Sequence, residues 1–148
     1  MSVKVCKFGG TSMAAGNVIK SVKKIVESDS ERKYVVVSAP GKRYSNDTKL
    51  TDILYACHTA LISGEDFKGC FEPVKARFRA IVKELGMDFD IESVLNLTEE
   101  RIKKEESEDF TASRGEYLSA RVTAEYFGAK FIDAENVIFF APDGTLDE

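Results

Sequence analysis

Tyr34-Val35-Val36-Val37 is the stretch that most limits what this chain can fold into. An unbroken apolar run with no polar alternation suits a strand covered on both faces, which is the situation of strands in parallel sheets. A first strand is predicted over residues 3–8, apolar and stopped by Gly9-Gly10, and the second over residues 34–39, stopped by Pro40-Gly41. Between them Val18, Val22, Ile25 and Val26 recur at helical spacing to about Ser28, with Asn17 as the expected helix cap. Strand, helix and strand in that order form a βαβ unit, the building block of α/β folds with right-handed crossovers.

The remainder reads as mostly helical. Residues 42–49 are polar and are expected to form a mobile loop. Thr51 is a candidate cap for a helix with Leu54, Cys57 and Leu61 on its core side. A helix over 67–85 places Phe71, Val74, Phe78, Ile81 and Leu85 on one face, with Gly86 as its stop. Another, rich in Glu and Lys, is expected over about 91–106, and one more over 113–127, closed by Gly128. Residues 129–134 and 137–141 read as two further strands, and Pro142-Asp143-Gly144 as a turn whose following strand is cut short. There is no internal repeat, low-complexity segment or internal domain boundary.

With 148 residues, the chain suffices for one domain with a hydrophobic core. Its 21 basic and 25 acidic side chains give a net charge of −4, which argues against a nucleic-acid binder, since phosphate-backbone affinity needs clustered Lys and Arg. Cys6, Cys57 and Cys70 are an odd number without metal-type spacing and read as reduced, buried thiols. His58 is the single histidine, so no zinc set is available. No signal peptide or membrane-length apolar run is visible, and a cytoplasmic protein without membrane partners is expected.

The chemistry is concentrated in Lys7-Phe8-Gly9-Gly10-Thr11-Ser12. Two glycines after a strand let the backbone approach a ligand closely, and successive N–H groups in such a turn form a cradle for anions. Lys7 adds a point charge at the strand end, and Thr11 and Ser12 add hydroxyls. Phosphoryl transfer asks for such positioning and charge compensation. The segment is neither a Walker A loop nor a dinucleotide GxGxxG. By spacing alone, a plain turn after a strand accounts for it equally well.

The hexapeptide at this position resembles the opening signature of aspartate kinases, within the amino acid kinase family. Val36-Val37-Ser38-Ala39, with Leu50-Thr51-Asp52 after the loop, resembles the second signature. Ser113-Arg114-Gly115-Glu116-Tyr117-Leu118-Ser119-Ala120 resembles the third. The resemblance implies a three-layer α/β/α sandwich with a mostly parallel sheet, the carbamate kinase-like fold, here incomplete. Residues 1–148 would be its N-terminal, substrate-side part, with the nucleotide-binding half and the ACT regulatory modules absent.

The resemblance also implies roles. Lys7, Gly9 and Gly10 would be catalytic, and Lys7, Phe8, Gly9, Gly10 and Ser12 would meet the ATP phosphates. Ser38 and Thr51 would contact L-aspartate, and Glu116 its ammonium group. Taken alone, Ser38 also reads as a strand end and Thr51 as a cap, and Ser113 to Glu116 reads first as a capping box. Lys42 and Arg43 could meet a phosphate or carboxylate but read first as solvated loop charges, and the acidic run from Glu99 to Glu108 reads as a solvated helix face. The implied activity is ATP-dependent phosphorylation of the aspartate side-chain carboxylate, the first step towards lysine, threonine and methionine. ATP and Mg2+ would serve as co-substrate, the intact enzyme would be a homo-oligomer, and the isolated piece is expected to be inactive. No tightly bound cofactor and no metal ligand are expected in this stretch. The competing readings are another amino acid kinase and a non-catalytic amino-acid-binding module.

Overall fold

The computed structural model describes residues 2–147. Strands β1 (Lys4–Phe8) and β2 (Arg32–Val37) pair in parallel, and helix α1 (Gly16–Glu27) is the crossover between them. The register sets Val5 against Tyr34, Lys7 against Val36 and Phe8 against Val37. Because side chains alternate along a strand, Phe8, Val35 and Val37 turn towards the helices and join the core. Val5, Tyr34 and Val36 stay exposed on the other face. The run that predicted two covered faces is thus covered on one by the described residues.

Four more helices build the body: α2 (Leu50–Ile62), α3 (Phe67–Leu85), α4 (Ile91–Glu105) and α5 (Glu108–Phe127). Their apolar stripes close one core. Leu54 and Cys57 of α2 meet Phe71, Val74 and Phe78 of α3, Leu95 and Ile102 of α4, and Leu118 and Val122 of α5. Asp66, Asp90 and Ser107 cap α3, α4 and α5 by accepting from Gly69, Ser93 and Phe110 N–H. Helices α3 and α5 end at Gly86 and Gly128, both left-handed as the sequence predicted. Parallel strands backed by helices are the α/β arrangement expected, and the described residues supply this part of it.

Several local expectations change. Asn17 lies inside α1, and the helix is capped instead from a distance, by Glu84 Oε2 of α3 accepting from Gly16 N–H at 2.7 Å. The buried face of α1 is Ile19 and Val22, while Ile25 is exposed. Thr51 sits in the first turn of α2 and Lys49 takes the cap position, without a side-chain bond. Helix α5 starts at Glu108, so Ser113 to Glu116 lie within it and form no capping box. Glu99 leaves the solvated face and is buried.

Residues 129–134 and 137–141 form no extended ladder. A 3-10 turn at Ala134–Asn136 intervenes, and a single antiparallel bridge joins Phe140 to Leu146. A strand needs a neighbour to satisfy its backbone, and here the Pro142-Asp143-Gly144 turn supplies only that bridge. Of the three free cysteines, only Cys57 is buried. Burial pushes its thiol up to about 12, so it packs as a small apolar group.

Candidate functional site

The strand ends, the β2–α2 loop and α5 converge on one cavity of about 430 Å³. It is lined by Gly10 and Thr11 after β1, by the run from Ser38 to Lys42 after β2, by Lys49 and Thr51 at the start of α2, and by Glu116 of α5. This convergence follows from topology. In a parallel pair both strands deliver their C-terminal ends to the same side, and loops there are free to vary without disturbing the sheet.

Two close approaches shape the cavity. Gly41 N–H donates to Gly10 O at 2.8 Å. A Cβ on Gly41 would come within 2.8 Å of the Gly10 carbonyl carbon and 3.0 Å of Thr11 N, so the two loops touch backbone to backbone. Across the cavity, a Cβ on Gly115 would lie 2.7 Å from Ala39 Cβ and 3.2 Å from Leu54 Cδ1. Gly115 therefore lets α5 lie directly on the end of β2, which brings the next residue, Glu116, to the cavity. Glu116 Oε1 accepts from Ala39 N–H at 3.2 Å, fixing one carboxylate oxygen.

Of the residues singled out from sequence, Gly10, Ser38, Thr51 and Glu116 share this lining. They come from four separate segments. Lys7, Phe8, Gly9 and Ser12 stand behind it or beside it. Lys7 is exposed, level with Val36 on the outer face of the sheet. Phe8 packs its ring against the core, and its carbonyl accepts from Ser38 N–H at 3.0 Å. Gly9 is extended, with φ −77° and ψ 172°, and leads into a 3-10 turn at Gly10–Met13. Ser12 N–H is spent on Gly9 O at 2.9 Å, so the cradle of free N–H groups is smaller than the sequence suggested.

The two loop charges part company. Lys42 lines the cavity, whereas Arg43 turns away and grips Asp47 through Nε at 2.8 Å and Nη2 at 2.9 Å. Lys49, which the sequence did not single out, adds a second cation to the lining. Its place at the cap position of α2, two residues before Thr51, was the available signal, but a Lys before a helix is common enough to pass as a solvated charge.

Chemically, the lining offers two ammonium groups, two threonine hydroxyls, a serine hydroxyl and one carboxylate. That set recognises a small zwitterion: cations and hydroxyls for carboxylates, Glu116 for an ammonium. Among the described residues no cluster of three or more His, Cys, Asp or Glu is placed to hold a metal. The one carboxylate of the lining already accepts from backbone, and Mg2+ needs one or two free carboxylates beside the nucleotide phosphates. The residues present thus do not fit a magnesium site. No helix among the described residues is long and apolar enough to cross a membrane.

Comparison with known proteins gives a consistent result. The model of the amino acid kinase family matches residues 2–143. Aspartokinase 3 of Bacillus subtilis (strain 168) is 38% identical over 141 residues, which covers 91% of this chain and 31% of that protein. The crystal structure of Clostridium acetobutylicum aspartate kinase superposes with a TM-score of 0.95 at 44% identity, over 99% of this chain and 34% of that one. Aspartokinase III of E. coli, solved in complex with aspartate and ADP, superposes with a TM-score of 0.68 at 26% identity, over 86% of this chain and 29% of that one. The chain spans about a third of the length of these relatives.

Proposed function

Since the chain belongs to the amino acid kinase family, we propose that it is the substrate-side part of an aspartate kinase, holding L-aspartate for phosphorylation of its side-chain carboxylate by ATP. The observation that carries this reading is the meeting of Gly10, Ser38, Thr51 and Glu116 in one cavity. These are positions of the three segments that resemble the aspartate kinase signatures, and nothing in their sequence spacing alone would bring them together. Further support comes from the likeness to the E. coli enzyme, which binds aspartate and ADP.

In this reading Glu116 takes the ammonium of aspartate through the oxygen that Ala39 N–H leaves free. Ser38 and Thr51 donate their hydroxyls to a carboxylate, and Lys42 and Lys49 set the positive potential that draws the two carboxylates in. The aspartate side chain is already ionised at neutral pH, so its attack on the γ-phosphorus of ATP needs no general base. Gly9 and Gly10 allow the phosphates to approach the backbone, with Ser12 offering its hydroxyl. Phe8 contributes only its main chain. Lys7 approaches from the outer face of the sheet end to offset the charge on the transferred group. The P–O bond to ADP breaks as the P–O bond to the carboxylate forms, giving aspartyl phosphate and ADP.

The same reading has residues 1–148 as the N-terminal portion of the kinase domain, with the nucleotide-binding half and ACT modules in further sequence. It implies a cytoplasmic enzyme of lysine, threonine and methionine biosynthesis that works as a homo-oligomer, with Mg2+ arriving on the nucleotide. The test is ATP-dependent hydroxamate formation with L-aspartate, by this chain and by the longest polypeptide encoded around it. Product from the longer form supports the proposal, and Lys7→Ala in that form should lower turnover far more than aspartate affinity. No product from either form would overturn it.

A further inference from the structure

The loop that forms one wall of the cavity has little of its own to hold it. Between residues 42 and 49 the single buried side chain is that of Asp47. That carboxylate is reached from below by Arg77 of α3, itself only 4% exposed. Arg77 Nη2 donates to Asp47 Oδ2 at 2.9 Å and to Thr48 O at 3.2 Å, and its Nη1 donates to Gly41 O at 2.9 Å. One guanidinium thus spans the loop from its first turn to its last. Arg43 closes the arrangement from the solvent side, donating to Asp47 from its main chain at 2.9 Å and from its guanidinium. The chain of bonds continues, because Gly41 N–H donates to Gly10 O.

We propose that Arg77, acting through Asp47 and Gly41, is a positioning residue for the cavity: it holds the loop at residues 40–49 against the Gly9-Gly10 turn so that Lys42, Lys49 and Thr51 face Ser38 and Glu116. Arg77 lines no part of the cavity. Its leverage comes from geometry. A planar fork can serve a carboxylate and two carbonyls at fixed angles, which an ammonium cannot reproduce. The Gly10–Gly41 approach leaves no slack, since the added Cβ atoms would already collide. A loop that shifts by an ångström must then either lose the Gly41–Gly10 bond or move the glycine turn with it.

The functional consequence rests on the reading of the cavity as an aspartate site, and two readouts keep them apart. Amide hydrogen exchange is measured on this chain, unmutated and as Arg77→Lys, Arg77→Met and Lys75→Met. Lys75 is the control, a second buried cation of α3 that does not touch the loop. Arg77→Met should speed exchange at Gly41 and Asp47 at least about tenfold relative to α5 amides, because the buried Asp47 carboxylate loses one of its two cationic partners and Gly41 O its donor. Arg77→Lys should do so less, and also covers the case in which Arg77→Met fails to fold. Lys75→Met should leave the loop-to-α5 ratio within about twofold. Titration with L-aspartate, followed at the Ser38 and Ala39 amides, should show about tenfold weaker binding for the Arg77 variants alone. Unchanged loop exchange in both Arg77 variants would overturn the proposal. So would a loosened loop with unaltered aspartate affinity. If the unmutated chain does not bind aspartate, exchange at Gly41 alone decides whether Arg77 holds the loop, and hydroxamate formation by the longer polypeptide decides the aspartate reading.

Discussion

Helix α3 carries two buried cations two residues apart, and they do different work. Lys75 reaches Glu99 of α4 at 2.5 Å and Asn96 at 3.0 Å, with side-chain exposures of 9% and 8% for the ionic partners. Arg77 reaches Asp47 with exposures of 3% and 6%. The first pair joins two helices that Phe71, Phe78, Leu95 and Ile102 already hold together. The second joins a helix to a polar loop that buries no apolar side chain between residues 42 and 49. A buried ion pair between packed helices contributes little that an apolar pair could not. A pair that also carries backbone carbonyls of a loop determines where that loop lies.

Breaking the helix–helix pair gives the largest expected loss. Lys75→Met leaves Glu99 buried with Lys103 as its remaining partner, and should cost about 3 kcal/mol in urea unfolding. The double variant Lys75→Met with Glu99→Leu should recover most of it, because the desolvation cost disappears with the charges. The corresponding double replacement of Arg77 and Asp47 should not restore the cavity, since Gly41 O and Thr48 O would stay unpaired. Recovery of aspartate binding there would erase the distinction between the two pairs.

Next in size is Gly115→Ala. Its new methyl meets Ala39 Cβ and Leu54 at distances that require α5 to shift, and overpacking of this kind costs about 1–3 kcal/mol. Aspartate affinity should fall with it, because Glu116 moves with the helix. Stability lost without any change in affinity would show that the cavity tolerates movement of α5.

Acid titration tests both pairs together. The bonds from Arg43 hold the Asp47 carboxyl well below the usual carboxylate range, aided by the charge of Arg77. Burial works against ionisation of Glu99, but bonds from Lys103 and Lys75 outweigh it and keep its carboxyl low. Both groups are depressed in the folded state, so their stabilisation is complete above the unfolded carboxylate values of about 4 and is lost as pH falls through the lower folded values. Unfolding followed between about pH 5 and pH 2 should show this loss. In Asp47→Asn the acid limb should shrink while the Glu99 share remains.

The smallest effect belongs to an exposed cation of α3. Arg79 pairs with Glu72 and Glu92 at the surface, where its side chain is 39% exposed. Arg79→Ala should cost no more than about 1 kcal/mol, and less at high salt. A larger loss would mean that burial does not rank these three cations.

Much of the scaffold was legible from sequence because its signals are local. The strand–helix–strand opening, the stripe from Phe71 to Leu85 and the stops at Gly86 and Gly128 each depend on neighbours within a few residues. Cap positions were read less well. Asn17 and Thr51 have the chemistry of caps, yet Gly16 N–H is satisfied by Glu84, far along the chain. The site was legible only in part, for the same reason. Resemblance pointed to Ser38, Thr51 and Glu116, which the fold does bring together, while Arg77 and Asp47 stand 30 positions apart and sit among ordinary charged residues. Nothing in composition or periodicity distinguishes a buried Arg beside Phe78 from a solvated one. Gly115 looked like part of a capping box, and its role as a spacer for α5 depends on Ala39 from a different segment.

The outer face of the strand pair has a practical consequence. Val5, Tyr34 and Val36 are exposed there, and in a two-stranded sheet each strand offers one unpaired edge among the described residues. Open edges beside an apolar face are templates for further strands, whether from a proper neighbour or from another copy of the same chain. Handled alone at high concentration, the polypeptide should self-associate through this face and scatter light before its helices melt. A charge at position 36, as in Val36→Lys, should raise its solubility.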